Sequence, residues 1–253
     1  MKSLLILFSC TLLASSVLCI SKARAQDVAA NTNPAIEALN NSVTFYMSFD
    51  SSTLTADMSS GVGEPLDTKI KPNLKPGLFE SAELPEQTIS YAADKNLDLS
   101  RTGSLALWIK PFDWKRDTTP YLTFANIDDH GRFIALMRMG NPVNREKLYA
   151  YAKAGKDSIV LTVDNSLDWK DNEWHLLVVN WRPDSIDFSI DGAPVKNQHL
   201  VSWPTANGAP GTLNITKTSA TQPWLTDEVI VLDRPLEQKE IEAMWEEGQK
   251  RNK

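Results

Sequence analysis

Four of the eight tryptophans in this 253-residue sequence fall between apolar runs rather than inside them. Trp114, Trp169, Trp203 and Trp224 lie in loops or at strand ends, where an indole face can stack on the apolar face of a sugar ring. Asp113, Asp168, Asn207 and Asn126 are near enough to supply hydrogen bonds to sugar hydroxyls. Trp114 and Trp169 each follow an acid and precede a lysine, which points to them as the most exposed of the four. The same positions also suit rings that plug a sheet edge, since an indole carries a large apolar surface and one polar tip. Trp108 and Trp174 differ: both sit inside apolar runs and read as core.

Reactive groupings are otherwise sparse. His130, His175, His199, Tyr149 and Tyr151 are present, but no local spacing singles any of them out, and His175 reads as an ordinary strand residue. No nucleophile elbow, phosphate-cradling loop or zinc spacing occurs. The two cysteines, Cys10 and Cys19, fall in the first 25 residues, which read as a cleavable signal peptide. Lys2 gives a positive start, Leu4 to Ile20 an apolar run, and Ala23-Arg24-Ala25 a small-x-small cleavage pattern before Gln26. The run falls short of the roughly 20 apolar residues a membrane span needs. Leu18 ahead of Cys19 is wrong for lipid attachment. The exported chain then has no cysteine, hence no disulfide and no thiol chemistry.

Three of the 26 basic residues and none of the 32 acidic ones lie in the signal segment, so the remainder carries 23 against 32, a net charge of −9. An acidic chain without a basic run repels phosphate backbones, which excludes nucleic acid as a partner and disfavours anionic membranes.

These residues must be positioned by strands. Residues 26–42 are small and polar and read as a leader. Val43 to Phe49 alternates as a strand, and a stretch rich in glycine and proline follows to about Phe79. Short β-rich runs then come quickly: Thr88–Ala92, Ser104–Lys110, Tyr121–Asn126, Arg132–Met139, Lys147–Lys153, Ser158–Val163, Trp174–Trp181, Ser185–Ile190, Leu213–Ile215 and Glu228–Leu232. Lys153 to Asp157 reads as a hairpin turn and Asp191-Gly192 as another, because glycine accepts positive φ without steric cost. Only residues 235–247 carry a helical period, with Ile241, Met244 and Trp245 on one face, Pro235 at the entry and Gly248 at the exit. Many short strands and a single late helix predict an all-β, two-sheet sandwich over residues 43–250.

In order, several pieces resemble the laminin-G-like, concanavalin A-like lectin/glucanase superfamily. They are Phe49-Asp50, Asp57-Met58-Ser59-Ser60-Gly61, Leu97-Asp98-Leu99-Ser100, Gly103 to Pro111, Asn172-Glu173-Trp174-His175, Asp187 to Gly192, and Asp227 to Leu232 running into Arg234-Pro235-Leu236 and Glu240-Ile241. The resemblance spans about residues 43–248. It implies two antiparallel sheets packed as a jelly roll with the first and last strands adjacent.

It also implies a structural calcium ion in many members, tying the N-terminal segment to the late Asp-Glu strand. Asp57 and Asp227 match the positions expected to give carboxylates, with Asp50 a third; calcium takes six to eight oxygens, carbonyls among them. The glucanases of the fold carry a Glu-x-Asp-x-x-Glu string along one strand for acid and nucleophile work. No such string occurs here. The expectation is therefore an exported, non-catalytic carbohydrate-binding protein with a polysaccharide or glycan as partner. A polysaccharide lyase or glycoside hydrolase of the same fold, and a protein-binding adhesion module, stay open as alternatives.

Overall fold

The computed structural model describes residues 33–112, 121–139, 147–163, 169–194, 196–199 and 211–252. Residues 1–25, the expected signal peptide, lie outside them. The chain divides into a unit ending at Ala38 and one running from Leu39 to Lys253. The expected polar leader contains a short helix, α1 (Pro34–Leu39). Asn33 caps it, its Oδ1 accepting from the Ala35 N–H at 3.0 Å, and proline suits the first helical position, where no N–H is needed.

In the second unit, fifteen strands are described among these residues, forming two antiparallel sheets. The larger runs β13 (Lys196–His199), β12 (Ser185–Ile190), β11 (His175–Arg182), β6 (Gly103–Pro111), β15 (Trp224–Leu232), β1 (Val43–Met47) and β2 (Met58–Ser59). On β15 also hangs β4 (Ser81–Glu83), which pairs with β3 (Leu74–Pro76). The smaller runs β10 (Asp157–Val163), β9 (Lys147–Ala154), β8 (Arg132–Met139), β7 (Tyr121–Asp129), β14 (Thr212–Ile215) and β5 (Ile89–Ala92). The first strand pairs with the last, Tyr46 opposite Ile230 and Met47 opposite Val229, which is the adjacency the resemblance implies.

The core lies between the sheets. Leu107, Leu177, Phe188 and Val229 of the larger meet Phe124, Ile134, Ala150 and Leu213 of the smaller, all buried. Trp108 and Trp174 are buried as expected, at 0% and 3% exposure. Tight hairpins fall where glycine allows positive φ: Gly155 closes β9 onto β10 and the Asp191-Gly192 pair follows β12, with φ of 54° and 75°.

Two irregularities were not visible in the sequence pattern. A bulge in β7 leaves Phe124 without a cross-strand partner between Thr123, opposite Met137, and Ala125, opposite Leu136. The extra residue lets Leu122 and Ala125, three apart, both face the core. A second bulge interrupts the pairing of β15 with β6 between Asp227 and Ile230, where Glu228 takes φ 51°.

The C-terminal helix, α2 (Gln238–Arg251), starts later and runs longer than its period predicts. Glu240 reaches back to the Glu237 N–H at 2.8 Å, closing a capping box. Ile241 and Met244 are buried, and Trp245 stacks on Trp108 with centroids 5.5 Å apart. Gly248 does not end the helix. A Cβ there would lie 2.2 Å from the Trp108 ring, so glycine is required for close approach rather than for termination.

Candidate functional site

Of the four tryptophans expected to meet sugar, Trp114 and Trp203 lie outside the described residues. Trp169 is half-buried and has one face occupied, stacking on the His175 imidazole with centroids 3.8 Å apart and 7° between planes. His175 Nδ1 is in turn hydrogen-bonded to Asp191 Oδ2 at 2.8 Å, and Asp191 Oδ1 accepts the Leu176 N–H. Trp224 is 1% exposed and meets Phe124 edge to face, centroids 5.2 Å apart. It opens β15 on the core-facing side, opposite Pro111, so its ring faces are not available for stacking. That corrects the expectation of a platform at Trp224.

His130 and His175 do not come together. His130 sits in the β7–β8 turn with Nδ1 2.6 Å from Asp129 Oδ1, while His175 lies in the other sheet with its Nε2 buried. Asp129 is further engaged by the Leu99 N–H.

The three predicted metal ligands are brought into one neighbourhood beside β15. Asp57 Oδ2 accepts the Ser48 N–H, Asp50 Oδ1 the Ser81 N–H, and Asp227 Oδ2 the Leu78 N–H, at 2.7 to 2.9 Å. Asp227 is fully buried, and burial first, then the Glu228 charge, push its carboxyl well above the usual range; Asp50 adds to the effect. Burial likewise raises Asp50, with Asp57 among the nearby charges. The Tyr46 phenol, donating to Glu228 Oε1 at 2.9 Å, is pushed far up by burial and by that carboxylate. Glu83, beside them on β4, rises to about 7, chiefly through burial. Lys110 feels Asp227 but is lowered on balance by its own desolvation. Among the described residues no three His, Cys, Asp or Glu side chains converge as a metal group. Side-chain carboxylates alone therefore do not make the site; carbonyl oxygens would have to complete any coordination by Asp50, Asp57 and Asp227.

The outer face of the smaller sheet is different in kind. Core residues alternate along its strands, so the residues between them face away. In register across the sheet, Val160, Tyr151, Ala135, Asn126, Asn214 and Ser90 form one rung. Thr162, Tyr149, Met137 and Thr123 form the next, and Phe133, opposite Asp128, begins a third. Phe133 and Tyr151 pack edge to face at 6.1 Å. Asn214 Nδ2 donates to Asn126 Oδ1 at 2.8 Å and to Thr212 Oγ1. Among the described residues that pairing leaves the Asn126 amide nitrogen, a donor, and the Asn214 carbonyl oxygen, an acceptor, without a partner. Tyr151 and Asn126 are half-exposed, while Tyr149 and Ala135 are buried, so the rungs are partly sheltered rather than flat against solvent.

A two-sheet jelly roll whose first and last strands pair is now in view, and sequence comparison agrees. Residues 86–242 match the family Laminin_G_3 of the concanavalin A-like lectin/glucanases superfamily. The chain belongs to that family. No curated protein sequence matches it. Among solved structures it is similar to the botulinum neurotoxin serotype D ligand binding domain in complex with N-acetylneuraminic acid: TM-score 0.63, 13% identity, 84% of this chain and 52% of that one. The binding domain of botulinum neurotoxin DC in complex with SialylT aligns at TM-score 0.60 and 14% identity, over 83% of this chain and 52% of that one. The same domain in complex with rat synaptotagmin II aligns at TM-score 0.59 and 13% identity, over 83% and 52%. This laminin-G-like chain thus spans about half the length of the solved structures it matches, and at such identities they establish its fold. No described helix is long and apolar enough to cross a membrane.

Proposed function

We propose that this laminin-G-like protein is exported and binds glycans without cleaving them, on the outer face of its six-stranded sheet. The observation that carries the reading is the Asn126–Asn214 pair on the sheet face that also carries Tyr151, on the same rung, and Phe133. A donor and an acceptor without a partner among the described residues share that face with aromatic rings, which is the combination a sugar ring with vicinal hydroxyls satisfies. The comparison structures with N-acetylneuraminic acid and SialylT support glycan recognition on this fold. The lack of a Glu-x-Asp-x-x-Glu string in the sequence supports a reading without glucanase turnover. A glycan array probed with residues 26–253 tests the reading: binding that Tyr151→Ala weakens about tenfold supports it, and an empty array sinks it. Release of reducing or unsaturated ends from a bound polysaccharide would instead make it an enzyme.

We also propose a calcium ion at the acid-rich neighbourhood of Asp50, Asp57 and Asp227. What supports it is charge: Asp227 is fully buried, and the Glu228 and Asp50 charges both disfavour its ionised form. A bound divalent cation would offset that repulsion and clip the first and last strands together. Chelator should then lower the melting temperature, and Asp227→Asn should remove the sensitivity; a melt indifferent to chelator refutes the site.

A further inference from the structure

The six-stranded sheet ends in two different ways. At one edge β5 is covered: the Leu66 N–H donates to the Ser90 carbonyl and the Asn96 side-chain amide to that of Ala92. At the other, β10 runs seven residues with β9 on one side. Its other side receives a single hydrogen bond among the described residues, from Lys196 Nζ to the Thr162 carbonyl at 3.1 Å. That bond also gives the phase of the strand. Residues of an antiparallel ladder turn their N–H and C=O alternately to one neighbour and to the other. The Thr162 carbonyl meets a group from outside the sheet, so Ser158, Val160 and Thr162 turn theirs away from β9. Counting from the far edge agrees. Ser90 turns its carbonyl outward to Leu66, and alternation across the rung through Asn214, Asn126, Ala135 and Tyr151 turns Val160 outward too. Proteins ordinarily blunt such an edge with a proline, a bulge or charges along it. The register of β10 on β9 is regular, and its sequence, DSIVLTV, is rich in β-branched residues and charged only at its first.

We propose that β10 pairs antiparallel with β10 of a second copy of this chain, about a two-fold axis at Val160, joining two six-stranded sheets into one. That register sets Val160 opposite Val160 and Ser158 opposite Thr162, so each outward N–H meets an outward C=O of the other copy. The Thr162 carbonyl keeps its bond from Lys196, since a carbonyl oxygen accepts twice. Valine on valine and serine on threonine suit neighbouring strands. Charge selects the same arrangement. Asp157 and Lys196 are exposed, and neither has an ion-pair partner among the described residues. Lys196 lies at the Thr162 end of the strand and Asp157 at its start, on the side of Ile159 and Leu161 that faces the larger sheet, from which Lys196 comes. Antiparallel pairing brings the two ends together, so Lys196 of each copy meets Asp157 of the other. Lys156 lies beyond the strand, in the β9–β10 turn. A patch that complements itself in this way is what a closed two-fold dimer requires. The rung that contains Tyr151 and Asn126 also contains Val160, so it continues across the axis and the outer faces of both copies become one surface.

The test uses residues 26–253, which contain no cysteine, so one introduced thiol reports one position. Paired across the axis, the two Val160 Cα atoms lie about 5.5 Å apart, within reach of a disulfide. The two Ser158 Cα atoms lie about 14 Å apart and are out of reach. Val160→Cys is therefore expected to give a covalent dimer on mild oxidation, and Ser158→Cys to stay uncrosslinked. Sedimentation equilibrium of the unmodified protein should show a monomer–dimer equilibrium. Asp157→Lys, which turns both symmetry-related contacts repulsive, should weaken it about tenfold, and adding Lys196→Asp should restore it. Both side chains are exposed, so neither substitution disturbs the core. A monomer at every concentration overturns the proposal. So does crosslinking of Ser158→Cys at the rate of Val160→Cys, or a dimer that Asp157→Lys leaves unchanged. Neither measurement involves a sugar, so the result stands whatever the glycan array shows.

Discussion

The two sheets of this sandwich use their outer faces for opposite purposes. In the larger, β15 is buried at every position, β12 likewise, and β11 at all but its last residue. The core covers one side, and part of the other is packed under α2, through Trp245 and Gly248 on Trp108. In the smaller, β14 and β5 alternate buried with half-exposed, as sheets with one wet face do. The larger sheet spends its second face on holding the fold together. The smaller keeps its second face for polar and aromatic groups that the fold does not consume, and that is where recognition is proposed.

The sharpest way to break this contrast is to truncate each face. Trp108→Ala removes a ring held between sheet and helix and should cost about 3–5 kcal/mol of stability in chemical denaturation. Gly248→Ala should cost on the order of 1–3 kcal/mol by overpacking against the same ring. Val160→Ser, on the wet face and 43% exposed, should stay within about 0.5 kcal/mol. If Val160→Ser unfolds the protein, or Trp108→Ala does not weaken it, the division of labour is wrong.

Titration sharpens the comparison further. Glu83 on the covered side has a folded pKa of about 7 against an ordinary 4.5. A raised folded pKa means the native state prefers the protonated acid, so its contribution is full below 4.5 and is lost as pH rises through 7. Urea midpoints of the metal-free protein should fall across that window, and Glu83→Gln should flatten the decline. Calcium, if bound as proposed, works the other way through Asp227, since the ion favours the deprotonated acid. A modest effect is expected at the helix entry. Glu240→Ala, losing both the capping box and the two-pronged contact with Arg234 at 2.8 Å, should cost about 1 kcal/mol.

The architecture was largely legible because local chemistry spoke for it. Runs such as Arg132–Met139 and Ser185–Ile190 have the bounds their patterns predict. Short strands that depend on partners were not legible: β3 and β4 hold their place by pairing with each other and with Thr226, not by any period of their own. The site was harder for a similar reason. Tryptophan type drew attention to Trp224, yet only three dimensions show that it opens a core strand. Asn126 was noticed, but its partner Asn214 lies 88 residues away, and simple alternation would put Thr123 and Asn126 on opposite faces, whereas the β7 bulge at Phe124 brings them to one.

The pairing of β1 with β15 has a bearing on the chain's life before it folds. Thr44 and Val231, joined by a hydrogen bond across that seam, are 187 residues apart in sequence. An emerging chain therefore holds its first strand without a neighbour until almost the last residues have been made. Closing so long a loop comes late and slowly, as in other topologies dominated by distant contacts. If the chain is exported as proposed, that delay is useful: it stays threadable through a narrow channel until its final strand is available to shut the sandwich.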